Sequence, residues 1–203
     1  MESYQEINRR IRRIFKIRNQ PIAPFMGGYQ SSRIDLANLF NTLEYKIGAE
    51  IGVSKGLYSK ELCKAIDGLK LFLIDPWAAY DQPSISDERA KARYESCLER
   101  LEPYNVEYMR MTSMEAVKSF DDNSLDFVYI DGLHTFDAVM SDLIFWSPKV
   151  RHGGIVAGHD YCEFPQAGII PAVRTYVTCH GIHDWYVTRD KDPSFFWVRG
   201  ERL

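Results

Sequence analysis

The 203 residues include only four cysteines, Cys63, Cys97, Cys162 and Cys179, and no two of them stand at Cys-x-x-Cys spacing. That absence excludes a zinc finger and a dithiol redox motif. A chain of this length buries a core of its own and needs no disulfide staples, so reduced thiols and a cytoplasmic location are expected. Long apolar runs are missing too, and no charged-then-apolar leader opens the sequence. A soluble protein with no membrane partner follows as the expectation. Net charge is small, formally -3, which argues against a general nucleic-acid binder.

What remains is ordinary globular material, 45% apolar and 26% charged. The charge is unevenly spread. Residues 1–20 carry six Arg or Lys against Glu2 and Glu6, a local +4 that leaves -7 for the rest. Ile7, Ile11, Ile14 and Phe15 recur at helical spacing there, so an amphipathic helix over 3–18 with a basic outer face is expected. This face either stays solvated, attracts an anionic substrate, or packs on a second copy to make a homo-oligomer. Two prolines and a Gly-Gly pair mark 19–29 as a loop, in which Met26-Gly27-Gly28-Tyr29 has the composition of a lid. A second helix over 32–43 opens with Ser32 as cap and Asp35 at the capping-box position.

From residue 45 the texture changes. Short apolar runs at 46–53, 69–74, 106–111, 125–130 and 154–157 alternate with helical stretches at 58–66, 86–101, 113–119, 136–146 and 168–179. Such alternation implies right-handed crossovers and a parallel sheet. Two aromatic strands, 185–188 and 195–198, are joined by too short a turn for a crossover and form an antiparallel hairpin. The expected fold is α/β and Rossmann-like: one domain over 1–203, with a mostly parallel seven-stranded sheet at 45–203 and a helical cap or lid at 1–44.

Open parallel sheets bind ligands at the carboxyl ends of their strands, where strand order reverses. Glu50-Ile51-Gly52-Val53-Ser54-Lys55-Gly56 lies at such an end. Its Glu-x-Gly-x-x-x-Gly pattern differs from the Gly-x-Gly-x-x-Gly that seats a pyrophosphate. An acidic residue before the loop suits a cationic ligand, and S-adenosylmethionine carries both an ammonium and a sulfonium. The next strand ends in Leu73-Ile74-Asp75, a carboxylate placed to accept from both ribose hydroxyls. The plainer alternative is a glycine turn that only links strand to helix, with Asp75-Pro76 ending a strand.

Glu50-Ile51-Gly52, Ile74-Asp75-Pro76-Trp77, Tyr129-Ile130-Asp131-Gly132-Leu133-His134 and Gly153-Gly154-Ile155-Val156-Ala157-Gly158-His159-Asp160-Tyr161 together resemble the class I methyltransferases. The match is to the methyltransferase domain 24 family, which is similar to the macrolide-sugar and catechol-type O-methyltransferases, and it covers about residues 45–180. The resemblance implies S-adenosylmethionine as cofactor, contacted by Glu50, Gly52, Gly56, Asp75 and Asp131, with Ser113 near the adenine. It implies methylation of a hydroxyl on a small molecule, of the sugar or polyphenol kind.

Asp131 closes the most apolar strand, and His159 and Asp160 close the next, so three ligating side chains converge on one sheet edge. They are the candidate ligands of a divalent metal, magnesium or similar. Catechol-type relatives carry Asp-Asn where this chain has His159-Asp160; the histidine either ligates or orients substrate without a metal. His134 stands where those relatives carry a catalytic lysine, and an imidazole titrates near neutrality, so His134 with Asp131 forms the expected catalytic pair. Helix capping by Asp131 or Asp137 is the bland alternative. Trp77, Tyr80 and Trp146 are candidate wall residues. Two other functions compete: a protein that binds S-adenosylmethionine without turnover, and a nucleic-acid methyltransferase drawn by the basic helix. Amino-methylating nucleic-acid enzymes usually show an Asn/Asp-Pro-Pro-aromatic segment where this chain reads Asp131-Gly132-Leu133-His134.

Overall fold

The computed structural model describes residues 3–17, 22–28, 31–79, 86–165 and 167–200. Its elements run α1 (Tyr4–Ile14), β1 (Phe25–Met26), α2 (Arg33–Thr42), β2 (Ile47–Ile51), α3 (Leu57–Ala65), β3 (Lys70–Ile74), α4 (Asp87–Leu101), β4 (Val106–Met109), α5 (Ser113–Ala116), β5 (Leu125–Ile130), α6 (Phe136–Trp146), β6 (Val150–Gly158), α7 (Ile169–Cys179), β7 (Trp185–Val187) and β8 (Phe195–Val198). All eight strands join one sheet in the order β1-β7-β8-β6-β5-β2-β3-β4. Only β8 runs antiparallel to its neighbours, β6 and β7.

The strand pattern explains the layers. Along β5, Phe127 and Tyr129 point into one buried cluster while Val128 and Ile130 point into the other, the two-residue period of a strand buried on both faces. The first cluster holds the inward faces of α1 to α4, the second those of α5 to α7. Chain order travels outward from β2 to β4, then returns to lay β5 against the other side of β2. The carboxyl ends of β2 and β5 therefore flank the point where strand order reverses.

Helix starts follow local chemistry. Ser3 and Glu6, and Thr112 and Glu115, form reciprocal capping boxes on α1 and α5. Asp35 accepts from both the backbone N–H and the hydroxyl of Ser32, as the spacing suggested for α2.

Three local expectations change. The sheet has an eighth strand, because Phe25 and Met26 pair in parallel with Tyr186 and Val187. The backbone N–H of Gly27 then donates to Val187, and that of Gly28 to Phe15. Met26–Gly28 is thus fastened to the sheet edge and does not form a lid; Tyr29 lies outside the described residues. The helix expected over 113–119 divides into α5 and a 3-10 turn at Val117–Ser119.

The apolar face of α1 is spent within its own chain: Ile7, Ile11 and Phe15 are buried, and Tyr186 Oη donates to Asn8 Oδ1 at 2.6 Å. Part of its basic face is used as well, since Arg12 pairs with Asp184 at 2.9 Å and lies over the Phe25 ring. All four cysteines are free thiols. Among the described residues no helix is long and apolar enough to cross a membrane.

At the centre of the first cluster, Phe127 stacks on Phe40 with ring centroids 4.3 Å apart. It covers Gly48 so closely that a Cβ there would collide with the ring. Gly48→Ala is expected to cost about 1–3 kcal/mol, read as a lower denaturant midpoint. Phe127→Leu vacates that space, so the double variant should be more stable than the sum of the singles; strict additivity would rule the ring out as the obstacle.

Candidate active site

Backbone hydrogen bonds tie the strand ends together at the reversal point. Gly52 N–H donates to Ile74 at 2.8 Å, Asp131 N–H to Ile51 at 2.7 Å and His159 N–H to Ile130 at 2.9 Å. Gly52 has φ of +86°, and a Cβ on it would collide with the carbonyl oxygen of Asp131. The loop after β2 thus passes over the end of β5 at a distance that only glycine allows.

This crossing forms the floor of a cavity of about 610 Å³ whose walls include Ser54, Asp75, Ser113, Asp131, His134 and Asp142. That volume lies within the range of small-molecule sites. Asp75 is held by two backbone donors, Ser54 N–H to Oδ2 at 2.8 Å and Trp77 N–H to Oδ1 at 2.7 Å. Each oxygen keeps a further lone pair, and burial, opposed by these bonds, raises its pKa. Ser113 faces the same space, its hydroxyl donating to Asp142 while accepting from Trp146 Nε1 at 2.7 Å.

Two residues expected at the cofactor lie elsewhere. Glu50 is 2% exposed and points to the α3 face of the sheet, where Ser59 donates to it; the alternation of β2 sends its neighbour Ile51 to the cavity instead. Gly56 is the left-handed N-cap of α3, and a Cβ there would press on Cys97 and Leu101 of α4. Its role is helix packing. The indoles expected in the wall stand behind it: Trp77 Nε1 donates to Ser54 O at 2.7 Å, as Trp146 does to Ser113. Tyr80 lies outside the described residues.

At the other end of the cavity four side chains gather. His134 Nε2 lies 3.2 Å from Asp160 Oδ2 and 3.8 Å from Asp131 Oδ1. His159 Nδ1 lies 3.0 Å from Asp160 Oδ1 and 3.6 Å from Asp131 Oδ1. Asp160 takes a left-handed φ of 53°, which turns its carboxylate back toward both rings. Helix capping does not explain Asp131, because Thr135 caps α6 by accepting from Ala138 N–H.

The two histidines differ in what their nitrogens face. Arg33 Nη1 lies 3.3 Å from His159 Nε2. A guanidinium only donates, and a proton on Nε2 alone would set two donors against each other. Nδ1 therefore carries a hydrogen toward the carboxylates whether the ring is neutral or charged. Burial opposes the charged form, but Asp131 and Asp160 outweigh it and push His159 up to about 9. His159 thus faces the carboxylates as a donor, and it is not among the side chains whose ligand atoms cluster here. Asp131, His134 and Asp160 present ligand atoms together, all within 4.8 Å of one another, as do Asp160, Cys162 and Asp192. Asp131, against the opposing effect of burial, also raises His134. The Nε2 atom of His134 is buried and, although Asp160 Oδ2 lies 3.2 Å away, makes no well-aligned hydrogen bond among the described residues, and Phe164 meets the ring edge-on at 5.5 Å.

A glycine crossing at the reversal point, with an acid ending the next strand and a second acid ending β5, is the arrangement that the sequence motifs anticipate. Residues 49–161 match the family described as a methyltransferase domain. The chain belongs to the methyltransferase domain 24 family. The uncharacterised protein y4gI of Sinorhizobium fredii (strain NBRC 101917 / NGR234) is 25% identical over 121 residues, which are 57% of this chain and 12% of that protein. The matched stretch therefore spans about an eighth of that relative's length. Two solved structures share the fold: the O-methyltransferase TomG from Streptomyces achromogenes, in complex with SAM (TM-score 0.60, 15% identity, 98% of this chain and 100% of that one), and the O-methyltransferase from Bacillus cereus, in complex with SAH (TM-score 0.60, 11% identity, 98% and 92%).

The motifs missed Arg33, Thr135, Asp142 and Phe164. Thr135 before an apolar helix is a readable cap signal; the other three arrive through tertiary contact alone. Glu50 yields a pH signature. Burial, opposed by the Ser59 hydrogen bond, raises its pKa from 4.5 to about 8, so the folded protein keeps a proton that the unfolded chain releases. Its contribution to stability is full below pH 4.5 and fades as pH rises through about 8. Glu50→Gln should flatten that decline, so that the variant gains on the wild type between pH 5 and pH 8 in thermal melts. An unchanged difference across that interval would show Glu50 ionised in the fold.

Proposed function

We propose that this methyltransferase moves the methyl group of S-adenosylmethionine to a hydroxyl oxygen of a small molecule, of the sugar or polyphenol kind, with His134 as the base. The observation that carries this reading is the placement of His134: its side chain lines the same cavity as Gly52 and Asp75, and its buried Nε2 lies 3.2 Å from Asp160 Oδ2 without a well-aligned hydrogen bond among the described residues. TomG, an O-methyltransferase bound to SAM on the same fold, supports the choice of donor and acceptor atom.

The chemistry follows from alignment. Asp75, braced by the Ser54 and Trp77 amides, offers its remaining lone pairs to the ribose hydroxyls. Gly52 lets the backbone pass beneath the donor. The acceptor oxygen attacks the methyl carbon as the carbon–sulfur bond breaks and its electron pair returns to sulfur, leaving S-adenosylhomocysteine. The hydroxyl proton passes to His134 Nε2, and Asp160 and Asp131 stabilise the imidazolium formed. Holding the oxygen in line supplies on the order of 7 kcal/mol or more, and the positioned base about 10²–10⁴-fold.

A second reading rests on the same three side chains. One imidazole nitrogen and two carboxylates within 4.8 Å fit a divalent cation. Such an ion, held by Asp131, His134 and Asp160, supplies a lowered pKa to the acceptor hydroxyl. His134 Nε2 serves only one of these roles at a time, so a chelator separates them: turnover that survives EDTA supports the base.

Screening labelled S-adenosylmethionine against hydroxylated sugars and polyphenols identifies the acceptor; donor binding with no turnover on any of them would favour a non-catalytic binding protein. On an active acceptor, His134→Ala is expected to lower kcat by about 10²–10⁴-fold with S-adenosylhomocysteine affinity unchanged. Full activity would remove His134 from the mechanism. Asp75→Ala should instead weaken S-adenosylhomocysteine binding about tenfold or more in calorimetry, and an unaltered affinity would refute the ribose assignment.

A further inference from the structure

Methyl transfer as described leaves one cavity carboxylate without a task. Asp142, on α6, is only 5% exposed yet belongs to the cavity wall. Its Oδ1 is fixed by a relay in which Trp146 Nε1 donates to Ser113 Oγ and Ser113 donates to the carboxylate. Its Oδ2 has no hydrogen-bond partner among the described residues and is turned toward Gly132, whose Cβ position is 3.7 Å away. Burial, opposed by the Ser113 hydrogen bond, raises its pKa to about 6. A carboxyl so placed is mostly an anion at neutral pH, with one oxygen open to the cavity to accept from a ligand.

The surroundings define which donor fits. Ile74, Met114 and Ala138 share the wall with Asp142 and offer apolar surface to a flat ring. Asp75 also belongs to this cavity and suits ribose hydroxyls. Ser113 and Asp142 line the same cavity as Asp75, within the space open to the base of a nucleoside whose sugar sits at Asp75. At the six-position of a purine, adenine carries an amine with two N–H donors, whereas hypoxanthine carries a carbonyl oxygen. An ionised carboxylate accepts from the first and repels the second.

We propose that Asp142 Oδ2 accepts a hydrogen bond from the exocyclic amine of the bound base and makes this cavity selective for adenosyl over inosyl ligands. The assignment rests on the reading of the cavity as the S-adenosylmethionine site. Ser113 then acts as a positioning residue that locks the carboxylate rotamer.

Calorimetric titration of the wild-type protein with S-adenosylhomocysteine and with its deaminated counterpart, S-inosylhomocysteine, tests the proposal without any turnover. The adenosyl ligand is expected to bind about tenfold more tightly or better. Asp142→Asn, which keeps an acceptor for Ser113 and turns an N–H₂ to the base, should erase or invert that preference. Ser113→Ala retains the carboxylate and should keep the preference even where both affinities fall. Equal binding of the two ligands to the wild type, or an undiminished preference in Asp142→Asn, would overturn the role of Asp142. Binding of neither ligand to the wild type would instead reject the cavity as the cofactor site, and the inference with it.

Discussion

The site depends on one close backbone contact, the passage of Gly52 over the end of β5. Because strand order reverses there, the loops after β2 and β5 leave the sheet side by side, with Asp131 N–H bonded to Ile51. The donor-side and acceptor-side loops are thereby joined through main chain, with no flexible side chain between them. Strain gathers around this contact. Of the six non-glycine residues with positive φ among those described, Ser54, Trp77 and Asp160 lie in the loops after β2, β3 and β6. Conformations of this kind cost about 1–3 kcal/mol each and persist where the surroundings impose them. Here the Asp75 carboxylate and the Trp77 indole bond the Ser54 backbone, and the two histidines face Asp160.

Two buried tryptophans shape the cavity from behind. Trp77 packs on Tyr94 while its N–H fixes Ser54. Trp146 packs on Phe120 while its N–H fixes Ser113. Each indole sits in apolar core and spends its single donor on a rim residue, the usual way to bury such a ring without a polar cost. Hydrophobic packing is converted in this way into the placement of two polar groups about one cavity, so core substitutions beneath either ring reach the site without touching a ligand.

The alternation of apolar runs and amphipathic stretches made the fold legible, since parallel strands buried on both faces read as continuous hydrophobic segments. β1 stayed hidden because two residues show no periodicity. Within the cavity, Gly52, Asp75, Ser113, Asp131 and His134 were visible as motif positions, each at or just beyond a strand end. Glu50 stood one residue earlier, and the alternation of β2 turns it to the opposite face, a distinction the motif does not record. His159 was read without its neighbour: Arg33 comes from α2, 126 positions away in sequence, and faces Nε2, which leaves Nδ1 turned to the carboxylates as a donor. Asp142 was equally silent, because a polar residue in an amphipathic helix looks like part of its solvated face until Ser113 and Trp146 are brought against it.

The brief β1 strand has a meaning for the protein's behaviour in a crowded solution. An uncovered β7 would display a row of free amides and carbonyls, a template onto which another chain can zip. Phe25 and Met26 cap that row, and Pro24 immediately before them has no amide hydrogen to offer. The segment between α1 and α2 thus shields the edge of β7, and removing it would lay that row of backbone groups open to pairing.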